Sequence, residues 1–470
     1  MTTSIPAPRR QRARDESDQP DQHDQDSRDR ASARPAPLRA GYAFELRKLL
    51  AQWRIRVVIG LCWIAPALFV GVVSAQSSLP ADTVFGRWMH ATGWAGTLVV
   101  LAFCCSWALP LLTSLVAGDA FAVEDRLGTW RHLVLTMRSP ARIFWSKTLA
   151  SLSVIVLLLV GVALSATLGG LVAAGPHPLV GLDGTVFTSG EAAGRIALAW
   201  LAVLAPTLAF AAVGLLGSVV LGRSPMGLLV PAVLALALNL LQLLPLPVAV
   251  RLGLPSAGFV AWRGLLTDPA QTGPLLVALA VDLAWVVVAL GVARRLFVRR
   301  DFATLVNDGG TARALLSAAG PLVALVAVAG IAVATLTPAS GTGVERAKLE
   351  ASLSTVFAHL YQRQAEELHR PAVTPAQLGT TTACDRGGDR VEDSGPGTDW
   401  RCVVTWHVPG STVTGSAIYQ LDVAADGRYV ADGDGPKEVN GFFTVSTAQG
   451  DAPNPLWQVD GLIDLLSDSH

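Results

Sequence analysis

"VEDRLGTWRHLVLTMRSPARIFWSK" (123–147) is a charged interruption between two apolar runs, 97–117 before it and 148–173 after it. Within it, Gly128 is placed to end one helical turn and Thr129 to cap the next by accepting hydrogen bonds from otherwise orphan amides. Trp130, Leu133, Val134 and Met137 then fall at i, i+3, i+4 and i+7 on one apolar stripe, with Arg131, His132 and Arg138 off it. Ser139 and Pro140 restart the chain as cap and first residue of the helix that becomes the next apolar run. The stretch reads as a short amphipathic helix lying along a membrane surface. An anchor for a loop among lipid headgroups would have the same pattern.

The flanking runs set the fold class. A bilayer core of about 30 Å takes roughly 20 apolar residues in helix. Seven stretches qualify, at 57–75, 97–117, 148–173, 196–221, 227–248, 274–293 and 316–337, with Asp282 the charged residue inside them. A chain of 470 residues that is 51% hydrophobic and 15% charged is too apolar for an ordinary soluble globule. No alternating ten-residue pattern suggests a barrel, so the membrane part is expected to be all-α. Net charge is zero, which gives no push toward nucleic acid. Residues 1–41 hold Pro, Gln, Ser, Asp and Arg with few aliphatics and read as a solvated cytoplasmic tail without the layout of a removable signal peptide.

Orientation follows from the short loops. Arg126, Arg131, Arg138, Arg142 and Lys147 lie between spans two and three, and Arg294, Arg295, Arg299, Arg300 and Arg313 between six and seven, while alternate loops are poorer in basic residues. The amino terminus is therefore expected inside and, after seven crossings, the carboxyl terminus outside. Residues 338–470 regain charge, Gly and turn signals and read as a small exported α+β domain. It has an amphipathic helix in 344–370, a strand at 402–408 and a hairpin around Asp426-Gly427. Cys384 and Cys402 are the pair in this oxidising place. A bridge between them would contribute about 3 kcal/mol in the chain-entropy model, and two unpaired thiols are the alternative.

A second amphipathic element, "YAFELRKLLAQWRIR" (42–56), precedes span one, with Glu45, Arg47 and Lys48 in it. The order of "ELRKLL" before span one, then Glu124, Arg126, Gly128-Thr129, Leu133, Pro140, Arg142 and Lys147 after span two, resembles the type-2 ABC exporter permeases over residues 40 to 300. The resemblance implies a six-span permease domain at 57–300. In that family the first amphipathic helix and the loop helix are what the ATPase subunit grips. It therefore implies partner coupling through Glu45, Arg47, Lys48, Glu124, Arg126, Gly128, Thr129, Trp130 and Leu133. ATP and magnesium would sit on that nucleotide-binding partner, with no cofactor bound by this chain, and a second permease copy or a paralogue would complete the transporter. The linker 301–315, the seventh span 316–337 and the exported domain are additions to the family pattern.

No G-x-x-x-x-G-K-[ST] loop, G-x-S-x-G or H-E-x-x-H occurs, and the eight histidines are scattered, so neither ATP binding, nor a metal site, nor an intramembrane enzyme can be assembled from motifs. Asp282, at membrane depth, is expected either to line or gate a route or to be pinned by a hydroxyl or by Asn239 or Gln242. Gly161, Ser165 and Gly169 recur every four residues and fit close helix packing. Pro245, Pro247, Pro255 and "GFVAWRGLL" (258–266) read as a broken outer segment. Against the permease reading stands a non-transporting membrane receptor or scaffold whose exported domain binds a ligand or partner.

Overall fold

The computed structural model describes residues 37–76, 91–222, 226–300, 311–336, 341–387, 391–447 and 450–467, with Met89. Residues 1–36 of the expected tail and 301–310 of the expected linker lie outside the described residues. The chain opens with α1 (Leu38–Ala51) and α2 (Trp53–Ser74), separated by Gln52 in extended conformation. The amphipathic element thus runs earlier than 42–56 and stops at Ala51. Trp53, inside the 42–56 stretch, instead begins the next helix and is 79% exposed. Next come α3 (Gly93–Phe103), a π-helical turn at Cys104–Ala108, and α4 (Leu109–Ala117). The π turn lies just before Pro110, which has no N–H for a regular ladder. Short α5 (Ala122–Leu127) and α6 (Trp130–Met137) lead into the long α7 (Pro140–Ala174).

A small hairpin, β1 (Leu179–Val180) and β2 (Val186–Phe187), joins α7 to α8 (Ser189–Leu221), which starts on a Thr188/Glu191 capping box. Then follow α9 (Met226–Leu241), α10 (Val248–Leu252), α11 (Gly258–Ala261) with a 3-10 turn at Trp262–Leu266, α12 (Thr272–Val298) and α13 (Thr311–Leu336).

Among the described residues six helices are long and apolar enough to cross a membrane, not seven. The expected span 227–248 is the correction. Its helix α9 has 16 residues, about 24 Å of rise, short of a bilayer core. Pro245 and Pro247 disfavour helix in the residues before them, and the chain turns at Gln242 into the broken segment. Gln242 Nε2 donates to the Arg251 carbonyl (3.1 Å) and to Ser256 Oγ (2.9 Å), while Ser256 donates to the Leu238 carbonyl (2.9 Å), which ties the end of α9 to this segment.

Small residues fix the helix packing. A Cβ on Gly93 or Gly170 would lie within 2.3 Å of the other's carbonyl oxygen, which brings α3 hard against α7. Gly161 and Gly169 seat Trp63 and the Ala67 backbone of α2. Ser165 between them accepts the Ala67 amide at 3.1 Å, just past Pro66. The four-residue stripe is packing, as the spacing suggests.

The C-terminal region carries α14 (Arg346–Glu367) across an open five-stranded antiparallel sheet. Its strands are β3 (Thr381–Arg386), β4 (Gly397–His407), β5 (Thr414–Val423), β6 (Arg428–Gly433) and β9 (Gln458–Leu462), with β7 (Thr444–Thr447) and β8 (Gly450–Pro453) as a side hairpin. Leu349, Leu353, Phe357 and Leu360 of α14 meet Trp400, Tyr419 and Tyr429 of the sheet, and Cys384 and Cys402 are disulfide-bonded across β3 and β4. Gly427 turns the β5–β6 hairpin at φ 84°. This core is continuous with Val248, Leu252, Ala257, Ala278 and Val333 of the helical part. The domain sits directly on one end of the bundle.

Candidate functional site

The two ends of the bundle differ in chemistry. At the end away from the C-terminal domain, α1, α5, α6 and the start of α7 are locked by a buried charge cluster. Lys147 Nζ bonds Glu45 Oε2 at 3.0 Å and Glu124 Oε1 at 2.8 Å. Glu124 also takes the Lys48 ammonium and the Thr129 hydroxyl. Lys147 lies 5.9 Å from the centre of the Trp130 ring. That indole donates to Asp125 (2.7 Å), whose carboxylate is held by a two-pronged contact from Arg300 beyond α12. Phe121, Trp130, Phe144 and Phe297 stack beneath, with Phe121–Phe297 centroids 5.1 Å apart. The amides of Phe121 and Ala122, orphan donors where α5 begins, both reach Ser218 Oγ at 3.0 Å.

Several expectations change here. Glu45 and Glu124, assigned to the docking edge, are buried, Glu124 fully. They act inward: Lys147 bonds both carboxylates, and Lys48 bonds Glu124. Thr129 does not cap α6. Its backbone is already helical, and its hydroxyl turns back to Glu124, while Gly128 ends α5 at φ 65° as its position suggested. Trp130 is buried and Leu133 half-buried against the bundle. What faces out is Arg47, Arg126, Leu127 and Leu135, the last two 60% and 68% exposed. Asp125, Arg300, and the Arg54–Asp119 pair were missed as participants. Their partners lie 175 and 65 residues away, and the signal was only the crowding of opposite charges in one loop.

Midway along α12, Asp282 is fully buried and, among the described residues, neither carboxylate oxygen has a hydrogen-bond partner. It abuts Gly258 of α11, where a Cβ would come within 2.3 Å of Oδ2 and 2.9 Å of Pro206 of α8. Neither proposed pin reaches it. Asn239 donates to the Ala235 carbonyl in its own helix, and Gln242 to Arg251 and Ser256.

At the other end the domain is tied to the bundle by several side chains. Arg263 pairs with Asp426 at the tip of the β5–β6 hairpin, and Arg251 donates to the Ala425 carbonyl. Gln271 donates to the Leu462 carbonyl (3.3 Å), and His359 of α14 meets the Asp183 carbonyl in the β1–β2 loop (2.7 Å). Burial pushes the Asp426 carboxyl up, but Arg263, Arg428 and Arg251 together hold it below the ordinary aspartate value. Among the described residues no group of His, Cys, Asp and Glu is arranged to hold a metal ion. Comparison with protein-family models, with curated proteins and with solved structures finds no match for this chain. Function has to be read from the two ends of the bundle.

Proposed function

We propose that this chain is the membrane-spanning permease subunit of an ATP-binding cassette exporter, moving its substrate outward with energy from a separate ATPase subunit. The observation that carries this reading is the charge-locked platform at one end of the bundle. Lys147, Glu45 and Glu124 join α1, α5 and α7 into one body, so a push on the exposed face of α5 and α6 is passed to α7, a 35-residue helix that runs the length of the bundle. A docking element must be stiff to transmit force, and buried, mutually satisfied ion pairs stiffen it. Arg47, Arg126, Leu127 and Leu135 are the side chains an ATPase would touch, and ATP and magnesium belong to that partner. The resemblance also implies pairing with a second permease copy or a paralogue in the plasma membrane, the platform inside and the C-terminal domain outside.

The test is purification of the chain from its native membrane. A nucleotide-binding subunit is expected to come with it. The double variant Arg126→Ala/Leu127→Ala, which alters exposed atoms only, is expected to keep normal abundance and lose about tenfold or more of that association. Absence of any ATPase from the purified assembly would favour the second reading, a non-transporting receptor or scaffold. That reading draws on the domain's ties through Arg251, Arg263, Gln271 and His359, which suit a sensor that reports to its membrane helices.

A further inference from the structure

Arg251 is 3% exposed and, among the described residues, forms no ion pair. Its Nη1 donates to the Ala425 carbonyl, and its Nε has no partner. Asp426 is within electrostatic reach, but its carboxylate is taken by Arg263 and by the Arg428 amide (3.3 Å). Asp426 is paired with Arg263 across the seam, which leaves the buried Arg251 without a carboxylate partner of its own among the described residues. A buried guanidinium is stable only when its charge is answered, because desolvation penalises an unpaired ion far more than an unpaired neutral donor.

Arg251 also lines a cavity of about 40 Å³, walled by Gln242, Ala261, Gly264, Gln271 and Asp426. A water molecule needs roughly 10–15 Å³ of such space, so the cavity has room for more than one. Water in that space would leave the charge unanswered. We propose that this cavity binds one small monatomic anion, chloride under ordinary conditions, on the Arg251 guanidinium.

The walls decide between kinds of anion. Gln242 Nε2 gives its two N–H groups to Arg251 and Ser256, and Gln271 Nε2 gives one to Leu462, so the donors left over are those of Arg251 and one N–H of Gln271. A sulfate or phosphate would bring four oxygens and a second negative charge to a wall that already holds the Asp426 carboxylate, and most of those oxygens would go unpaired. A halide accepts from few donors and tolerates apolar walls. Its position between Arg251 and the hairpin tip would join the C-terminal domain to the bundle. The site does not depend on the exporter reading, since its test is binding and not transport.

The experiment is equilibrium dialysis of the purified full chain, in bilayer discs of neutral lipid, against radioactive chloride with gluconate holding ionic strength constant. One saturable chloride per chain is expected, displaced by bromide and not by sulfate or gluconate. Arg251→Gln is expected to abolish it. So is Ala261→Leu, which fills the cavity and leaves the arginine in place. The unfolding midpoint of the unaltered chain should rise in chloride relative to gluconate and level off at saturation. Absence of saturable binding to the unaltered chain overturns the proposal, as does equal displacement by sulfate or binding retained in both variants. The first two outcomes are read without any substitution, so a variant that fails to fold does not protect the idea.

Discussion

At Glu124 three helices meet in one carboxylate, and removing its charge should be felt as lost stability before it is felt as lost docking. Glu124→Gln leaves Lys147 with Glu45 alone, and Lys147→Met leaves two buried carboxylates short of their shared cation. Each is expected to cost about 3 kcal/mol or more, while combining the two should cost less than their sum, because the pair then disappears together. Thermal unfolding of the purified chain in detergent measures this, and additive losses would contradict it. Asp282 gives the opposite expectation. With no partner to strand, Asp282→Asn and Asp282→Leu should both keep normal abundance, so a fall in transport or substrate-stimulated ATPase would mark a residue on the route. A Leu variant that vanishes from the membrane would mean that a donor reaches Asp282 after all. The types and order of Glu124, Gly128 and Lys147 were legible in the sequence. The burial of Glu124 and Lys147 was not, because a charge run reads as a solvated face until Glu45, 102 residues from Lys147, is brought against it.

Among elements, the broken segment between α9 and α12 decides how the domain is held. The prolines at 245 and 247 are legible as a break, but hydropathy runs on through the turn, so the apolar pattern extends to 248 where α9 stops at Leu241. The reverse holds for the β5–β6 hairpin. Asp426-Gly427 marked the turn, while nothing local announced that its tip would lie on Arg251 and Arg263, 174 and 163 residues away. The Asp426 carboxyl is held below its ordinary value, so the contact is fully stabilising above the usual aspartate range, near about pH 3.9, and is lost as pH falls through the lower folded value. Amide exchange at Ile463, which bonds the Gly427 carbonyl at 2.8 Å, should therefore stay slow at neutral pH and quicken only in acid when measured relative to an unstructured amide at the same pH. Arg263→Gln should bring that quickening to higher pH. A profile unchanged by Arg263→Gln would show that the pair does not hold the hairpin.

For the whole molecule, the arrangement places a charge-locked platform at one end and a disulfide-bonded domain at the other. The apolar helices long enough to cross a membrane and the α+β character of the C-terminal part followed from composition and periodicity. The direct seating of the domain did not, because Val248, Leu252, Ala278 and Val333 look lipid-facing in sequence and only the fold gives them Phe357 and Tyr419 for company. The central claim is that the platform end receives an ATPase. A photo-reactive residue placed at the exposed position of Leu127 and activated in native membranes tests it most directly. The account predicts a cross-linked product with a nucleotide-binding subunit, lost when the same group is placed at Val413 on the far domain, which is also exposed. Products from position 127 that contain only lipid, or an ATPase captured equally from Val413, would contradict it.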